Sequence, residues 1–136
     1  GLNARHTLSK KTNGDIWFVG LGLMGSWETP YEVIGYDDKR EMLKANIYTM
    51  AKHNINDFVS VSGYIFFQPI LVNLSDSPNV SEGDYTIDGT IALTTKVTQD
   101  IGLVASINYD VDTAPYESVS KSDTAFKFGV NYKLKK

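Results

Sequence analysis

The fold is decided by residues 122–136, which read SDTAFKFGVNYKLKK. Between Phe126 and Leu134 the even-numbered residues are large and apolar, and the odd-numbered residues are polar or glycine. A period of two indicates a β-strand with two different faces, because a helix repeats about every 3.6 residues. The alternation exceeds the roughly five or six residues of an average strand. It reaches the roughly nine to eleven residues with which a tilted strand crosses a bilayer.

Similar alternation along the chain predicts seven strands, at residues 2–10, 15–28, 41–53, 58–71, 85–98, 101–110 and 122–136. The connections between them are short, long, short, long, short and long, and the first contains the hairpin signal Asn13-Gly14. An up-and-down sheet with tight turns at one end and long loops at the other produces this order. The sequence therefore predicts an all-β fold, an antiparallel up-and-down transmembrane β-barrel formed by one domain of residues 1–136.

Aromatic residues lie where an outer-membrane barrel has its interfacial girdles. Trp17 and Trp27 fall on the same predicted face, ten residues apart, which corresponds to about 23 Å along the membrane normal. The apolar band of such barrels is about 25 Å tall. We predict membrane-interface positions for Trp17, Trp27, Tyr109 and Tyr132. The alternative is that the tryptophans are ordinary strand-forming residues.

The opposite face of the predicted strands carries charges. A lysine that faces lipid at the midplane costs about 2–4 kcal/mol, so we expect Lys44, Asp88, Lys96 and Lys127 to face the lumen. Lys44, Asp88 and Lys127 are candidates for a charge cluster. Three lysines against one mid-strand acid predict a slight preference for anions in an open pore. Alternatively, these side chains only fill the lumen with hydrogen bonds.

Composition and motifs favour neither catalysis nor cofactor binding. The chain has no cysteine, a net charge of -3 and only two histidines, His6 and His53. We therefore predict no nucleic-acid partner, no metal, no cofactor and no catalytic residue. Residues 20–25 match the dinucleotide pattern G-x-G-x-x-G, but Pro30 follows soon after and no helical periodicity begins there. We instead interpret Gly20 and Gly22 as residues that thin the inward face of a strand, where they leave room for neighbouring side chains.

An odd strand count has a consequence for the barrel. Bacterial single-chain barrels have even numbers of strands with both ends on the short-turn side. Seven strands place Gly1 on the long-loop side, and an open edge in lipid leaves backbone groups unpaired. The predicted partners are the lipid bilayer and further strands, which missing N-terminal sequence or another chain would supply.

The C-terminal residues resemble known outer-membrane sequences. Residues 127–134, KFGVNYKL, resemble the signal by which such barrels are recognised for insertion, although Lys135 and Lys136 follow where the chain usually ends on Phe. More broadly, residues 84–136 are similar to the C-terminal half of the salt-induced (YdiY-like) outer-membrane protein family. The shared features include Thr95-Lys96-Val97-Thr98, Asn108-Tyr109-Asp110 and Gly129-Val130-Asn131-Tyr132-Lys133. The resemblance implies the outer membrane of a Gram-negative bacterium, a β-barrel and a longer chain; it implies no activity.

Three functions are consistent with these features. The first is an integral outer-membrane barrel with a structural scaffold role or a passive, porin-like pore. The second is a soluble lipocalin-like barrel that binds a small apolar ligand, in which the apolar face points inward and the polar face outward. The third, least favoured, is an outer-membrane barrel enzyme.

Overall fold

A computed structural model describes residues 1–12, 14–29, 39–75, 77–115 and 120–133. Its seven strands are β1 (Leu2–Lys10), β2 (Ile16–Glu28), β3 (Arg40–Asn54), β4 (Val59–Asn73), β5 (Tyr85–Lys96), β6 (Ile101–Asp112) and β7 (Ser122–Tyr132). They form one antiparallel sheet in the order of the sequence. The prediction of an all-β, up-and-down antiparallel architecture is confirmed. No helix in the described ranges is long and apolar enough to span a membrane.

The predicted strand boundaries agree with the structure to within two residues, apart from the end of β7. β5 ends at Lys96 rather than Thr98, because Val97 and Thr98 donate backbone hydrogen bonds to Ile101 and close the turn. Gly14 adopts the positive φ of 86° that its hairpin position requires. The predictions for Asn13, for most of the loop after β2 and for residues 134–136 lie outside the described residues.

A β-bulge interrupts the alternation of β1. The register against β2 shifts between Thr7 and Ser9, so Leu8 is an extra residue in the strand. Ser9 then pairs with Trp17 of the aliphatic face. Strict alternation from Leu2 predicts Ser9 on the polar face. This prediction is wrong, because alternation cannot predict an inserted residue.

Pro69 ends the ladder between β4 and β5. Its pairing with Tyr85 is the last one of that ladder, while β4 continues to Asn73 against β3 alone. Because proline has no amide donor, a position at the end of a ladder suits it. The register therefore places Pro69 at the rim of the β4–β5 ladder.

The two faces of the sheet differ in burial. The aliphatic face, called the outer face below, is exposed along the sheet: Leu21 is 60% accessible on β2 and Phe128 is 84% accessible on β7. The opposite face, called the inward face, is covered by its own side chains on β2 to β4, where Phe18 is 8% accessible. On β2 to β4 the sheet therefore buries its polar and aromatic face, whereas its aliphatic face is uncovered throughout.

The strand ends that flank the short connections (11–15, 55–58 and 97–100 in the sequence) lie at one end of the sheet, and the strand ends that flank the longer connections (29–39, 74–84 and 113–121) lie at the other. We call these the short-turn end and the loop end. Within the described residues, β1 pairs only with β2 and β7 pairs only with β6. The sheet thus has two edges, and a closed barrel is not formed by these seven strands.

Candidate functional site

The inward face is the part of the molecule where side chains from different strands converge. One row of directly opposed residues crosses the whole sheet: Arg5, Gly20, Tyr48, Phe66, Asp88, Asp110 and Asp123. Aromatic side chains occupy the middle of this row and carboxylates occupy its β5–β7 end. The register, which the sequence alone does not give, creates this arrangement.

Four rings form an aromatic cluster, defined here as Phe18, Tyr48, Tyr64 and Phe66. Tyr48 stacks on Phe66 with ring centroids 5.2 Å apart, and Phe18 and Tyr64 contact these two rings edge-on. Offset and edge-to-face contacts of this kind are the favoured aromatic geometries. The ring of Tyr48 lies over Gly20, where a Cβ atom would collide with it. Gly20 therefore provides space for the cluster.

Arg5 extends the aromatic cluster to the first strand. Its guanidinium carbon lies 4.8 Å from the centroid of the Phe18 ring. A cation above an aromatic face is attracted by the ring quadrupole, with a contribution of about 0.5–1 kcal/mol at an accessible site. The edge strand β1 is thereby attached to the interior of the sheet.

Beside the aromatic cluster runs an amide ladder, defined as Asn3, Asn46, Gln68 and Thr86. Asn46 donates to Asn3 at 3.4 Å, Gln68 donates to Asn46 at 3.3 Å, and Thr86 donates to Gln68 at 3.2 Å. The first of these bonds passes over Gly22, where any Cβ atom would collide with the Asn3 side chain. The interpretation of Gly20 and Gly22 as residues that thin the inward face agrees with both contacts.

The carboxylates form an acidic row, defined as Asp88, Asp110 and Asp123. Asp88 lies directly opposite Asp110, which in turn lies directly opposite Asp123. Like charges in directly opposed positions repel each other and destabilise a sheet. Only Asp88 is expected as a mid-strand inward acid, because Asp110 and Asp123 fall at the ends of their predicted strands and alternation does not give the register that aligns them.

The predicted lumen-facing lysines are placed apart from each other. Lys44 is buried and forms an ion pair with Glu28 at 3.0 Å, and Ser26 also donates to that carboxylate oxygen. Lys96, near the short-turn end, donates to the carbonyl of Asp57 at 3.1 Å. Lys127 is exposed on β7, opposite Ser106. In the described residues Lys44 pairs with Glu28, and Asp88 and Lys127 lie on strands adjacent neither to β3 nor to each other, so the sheet brings no two members of the predicted cluster together.

The loop end carries a small apolar core that the alternation of the strands does not predict. Met42 and Ile70 of the inward face pack with Val80, and Ala114 packs against them. Asn73 donates to the carbonyls of Ser77 and Val80, which holds the connection after β4 over this face. Residues from two loops thus cover part of the inward face at the loop end, and no periodic pattern in a loop could have predicted this.

Arg40, the first residue of β3, bonds the connection between β6 and β7 at the same end. Its Nη1 donates to the carbonyl of Ala114 at 2.6 Å, although 74 positions separate the two residues in the chain. The side chain of Arg40 is buried. A buried guanidinium that bonds a loop carbonyl fixes that loop, because leaving either group unpaired would cost free energy.

The four predicted interface aromatics, Trp17, Trp27, Tyr109 and Tyr132, are all exposed. Trp17 donates its indole N–H to Thr49 Oγ1 at 2.8 Å, and Thr49 donates in turn to the Phe18 carbonyl. These bonds satisfy the indole donor on the outer face without water. Trp27, at the loop end, is 75% accessible.

The short-turn end contains a contact between a carboxylate and the imidazole of one of the two histidines. Asp15 is buried, lies 3.0 Å from His53 Nδ1 and accepts a hydrogen bond from the Asn54 amide. This contact ties the first short turn to the second. In the part of the chain that the structure describes, no group of three or more His, Asp or Glu side chains is placed to hold a metal ion.

Comparison with known proteins gives one match. A family model described as "Protein of unknown function, DUF481" matches residues 5–134. No curated protein and no solved structure matches the chain. The match covers all but a few residues at each end.

Proposed function

This chain belongs to the DUF481 family, and from that premise we propose that it forms part of the wall of an integral β-barrel in a bacterial outer membrane. Its role is passive, that of a scaffold or a pore, rather than chemical. The finer resemblance to the salt-induced (YdiY-like) outer-membrane proteins is part of the same proposal. Lipid is the partner of the outer face.

The observation that carries the proposal is the uncovered aliphatic face. Large apolar side chains are exposed on β2, β5, β6 and β7 alike; examples are Leu21, Leu23, Ile91, Leu93, Leu103, Ile107, Phe126 and Phe128. Soluble monomers rarely expose a contiguous apolar patch of more than a few hundred Å². Strands of eleven to fifteen residues in β2–β4 and β7 are also long enough to cross a bilayer at a tilt.

The burial of the sheet favours a membrane barrel over a lipocalin-like one. A lipocalin-like barrel requires its aliphatic face to be inside, where an apolar ligand binds. Here the buried inward residues of β2–β4 include Lys44 and Phe18. On the same face Gln68 donates a hydrogen bond to Asn46. Most of the large aliphatic residues lie on the other side. On the inward face an apolar ligand would meet charged and amide side chains beside the aromatic cluster.

The acidic row changes the expected selectivity of an open pore. Lys44 is paired with Glu28, while Asp88, Asp110 and Asp123 lie side by side on three strands. Fixed charges that line a pore set its selectivity, and the three aspartates equal Arg5, Lys96 and Lys127 of the same face in number. We therefore expect little net charge preference in place of the anion preference predicted from residue counts. Reversal potentials in planar bilayers under a salt gradient measure this preference.

Quenching of tryptophan fluorescence by brominated lipids tests the membrane location. The chain has only two tryptophans, so Trp27→Phe reports on Trp17 alone and Trp17→Phe reports on Trp27 alone. In vesicles we expect both single-tryptophan variants to be quenched, and Trp27 to be quenched most strongly by bromines near the headgroups. Vesicles of the same lipid without bromine serve as the control.

Two results together would overturn the proposed membrane location. Unquenched fluorescence from both variants, together with a monomer that stays in solution without detergent, would place the aliphatic face away from lipid. The lipocalin-like alternative would then require a different arrangement of the sheet. Loss of quenching at Trp17 alone would restrict the lipid contact to the loop end and contradict a spanning β2.

A further inference from the structure

Lysines mark the short-turn end of every strand that runs toward it. The strands β1, β3, β5 and β7 all end there, and each has a lysine within two residues of its end. All four lysines are exposed. In the part of the chain that the structure describes, none of them forms an ion pair with a carboxylate. We call these residues the basic belt: Lys10, Lys52, Lys96 and Lys133.

The register places the first two belt residues on the inward face. Lys10 of β1 and Lys52 of β3 both lie directly opposite Ile16 of β2. Ile16 precedes Trp17 of the outer face, and successive side chains of a strand point to opposite faces. Ile16 and its two partners therefore belong to the inward face.

The β-bulge of β1 is the reason that Lys10 lies on this side. Strict alternation from Leu2 would place Lys10 on the outer face, together with Leu21 and Leu23 of β2. The shift of register between Thr7 and Ser9 moves it to the other face. Bulges often change the direction of a side chain in this way, and here the bulge adds Lys10 to the belt.

The other two belt residues share the inward face. Lys96 lies opposite Gly102 on that face and donates a hydrogen bond to the carbonyl of the second short turn. Lys133 follows Tyr132 of the outer face, and its amide donates to the Asp100 carbonyl at 2.8 Å. This bond continues the ladder of β7, so alternation carries Lys133 to the inward side.

The two ends of the sheet have opposite charge. We compare the described residues that lie in the connections or within two residues of a strand end. The short-turn end has five lysines and three aspartates, which are Lys10, Lys11, Lys52, Lys96 and Lys133, and Asp15, Asp57 and Asp100. The loop end has seven carboxylates and three cations, which are Glu28, Glu41, Glu82, Asp84, Asp110, Asp112 and Asp123, and Lys39, Arg40 and Lys121.

The acidic row is too far from the belt to neutralise it. On β5, Asp88 precedes Lys96 by eight positions, which corresponds to about 27 Å along the strand. Charges in water are screened beyond about 8 Å at physiological ionic strength. The third acid of the short-turn end that lies nearest to β1, Asp15, is buried and contacts His53. The belt therefore keeps a positive potential of its own.

We propose that the basic belt binds a soluble polyvalent anion, a molecule with several phosphate groups. The inference deepens the proposed function and rests on it, because only in a barrel does the inward face enclose water. Surfaces lined by one sign of charge concentrate ions of the opposite sign. The short turns of outer-membrane barrels face the periplasm, so the anion would arrive from that side.

The spacing of the belt favours an anion with more than one charged group. Neighbouring belt residues lie on strands that are separated by one other strand, at a distance of about 10 Å. Lysine carries a point charge on a flexible stem and is a common ligand of phosphate. A chain of phosphate groups can contact two or more of these lysines at once, whereas a single small ion cannot.

The inward position of the belt favours a soluble anion over a lipid headgroup, because lipid contacts the outer face in the proposed barrel. The charges of the two ends oppose each other. The little net preference that we expect of an open pore is therefore compatible with an anion site at one end.

Isothermal titration calorimetry with inorganic triphosphate tests the proposal on the purified protein in a neutral detergent. Lys52→Gln removes one charge of the belt, and Lys10→Gln with Lys52→Gln removes two. We expect triphosphate to bind less tightly by about two- to fivefold for each lysine removed, as for other exposed charge pairs. Added salt should weaken binding to the unaltered protein.

Two variants are matched controls. Lys121→Gln removes the same charge from the loop end and should leave the affinity unchanged. Lys52→Arg keeps the charge of the belt and should also bind as the unaltered protein does. Near-ultraviolet circular dichroism of each variant identifies a loss of affinity that is due to unfolding.

Three results would overturn the proposal. The first is no binding of triphosphate at low ionic strength, and the second is an equal loss of affinity for Lys52→Gln and Lys121→Gln. The third is displacement of triphosphate by phosphatidylglycerol added to the micelles, which would assign the belt to lipid headgroups. Brominated-lipid quenching is measured separately. Quenching without triphosphate binding would reject the anion site alone, and binding without quenching would reject the membrane location.

Discussion

The inward face is built differently at β2–β4 and at β6–β7. On β2–β4 the rings of Tyr48 and Phe66 stack, Gln68 and Asn46 are hydrogen-bonded, and Lys44 is paired. On β7 the residues of the same face, Lys127 and Asn131, are exposed. Both parts have the same alternation and the same outer face. The difference teaches that alternation determines which side a residue takes, whereas only neighbours on adjacent strands determine whether that side is filled.

A matched pair of phenylalanines gives the largest expected effect. Phe66→Ala removes a ring that contacts Tyr48 and Tyr64 and should lower the free energy of unfolding by about 2–3 kcal/mol, less than a fully buried ring because Phe66 is half-buried. Phe128→Ala removes an exposed outer ring and should cost below about 1 kcal/mol in detergent. Urea unfolding in micelles measures both. Equal losses would contradict the difference between the two regions.

Lysine substitutions come next. Lys44→Met leaves the Glu28 carboxylate, whose side chain is 35% accessible, without its cation and should cost about 1–2 kcal/mol. Lys127→Met should change stability by less than about 0.5 kcal/mol, because Lys127 is exposed. The double variant Lys44→Met with Glu28→Gln should recover part of the loss. If the double variant were less stable than Lys44→Met alone, the ion pair would not be the cause.

Glycine substitutions test how much space the inward face leaves on β2 and on β7. Gly20→Ala places a methyl group against the Tyr48 ring and should cost about 1–3 kcal/mol, as overfilling a packed region does. Gly129→Ala meets no described atom within 4 Å and should be neutral or slightly stabilising. The change of one methyl group is the same at both positions. Near-ultraviolet circular dichroism during urea titration reports on the aromatic cluster directly, and an unaltered spectrum for Gly20→Ala would argue against the close ring contact.

Asparagine substitutions have the smallest expected effect. Asn46→Ala removes two hydrogen bonds of the amide ladder, one to Asn3 and one from Gln68, and should cost about 1 kcal/mol. Asn131→Ala, on the exposed inward side of β7, should cost a few tenths of a kcal/mol at most. Exchange of backbone amide hydrogens in β1 should also accelerate for Asn46→Ala. Protection of β1 that does not change would show that the ladder does not hold the edge strand.

The sequence by itself determined the strands, their order and their two faces. Alternation over about ten residues has one structural solution, and short connections between such strands make neighbours pair. For this reason β1, β3 and the start of β7 were predicted to within one residue, and Trp17 and Trp27 were assigned to the same exposed face.

The tertiary structure alone decided which inward residues meet. The acidic row of Asp88, Asp110 and Asp123 depends on the relative register of three strands, and a shift of one residue would separate the carboxylates. The pairing of Lys44 with Glu28 and the contact of Val80 with Met42 bring together residues that are distant in the chain. Local periodicity contains no information on such contacts, because it specifies a side of the sheet and not a neighbour on it.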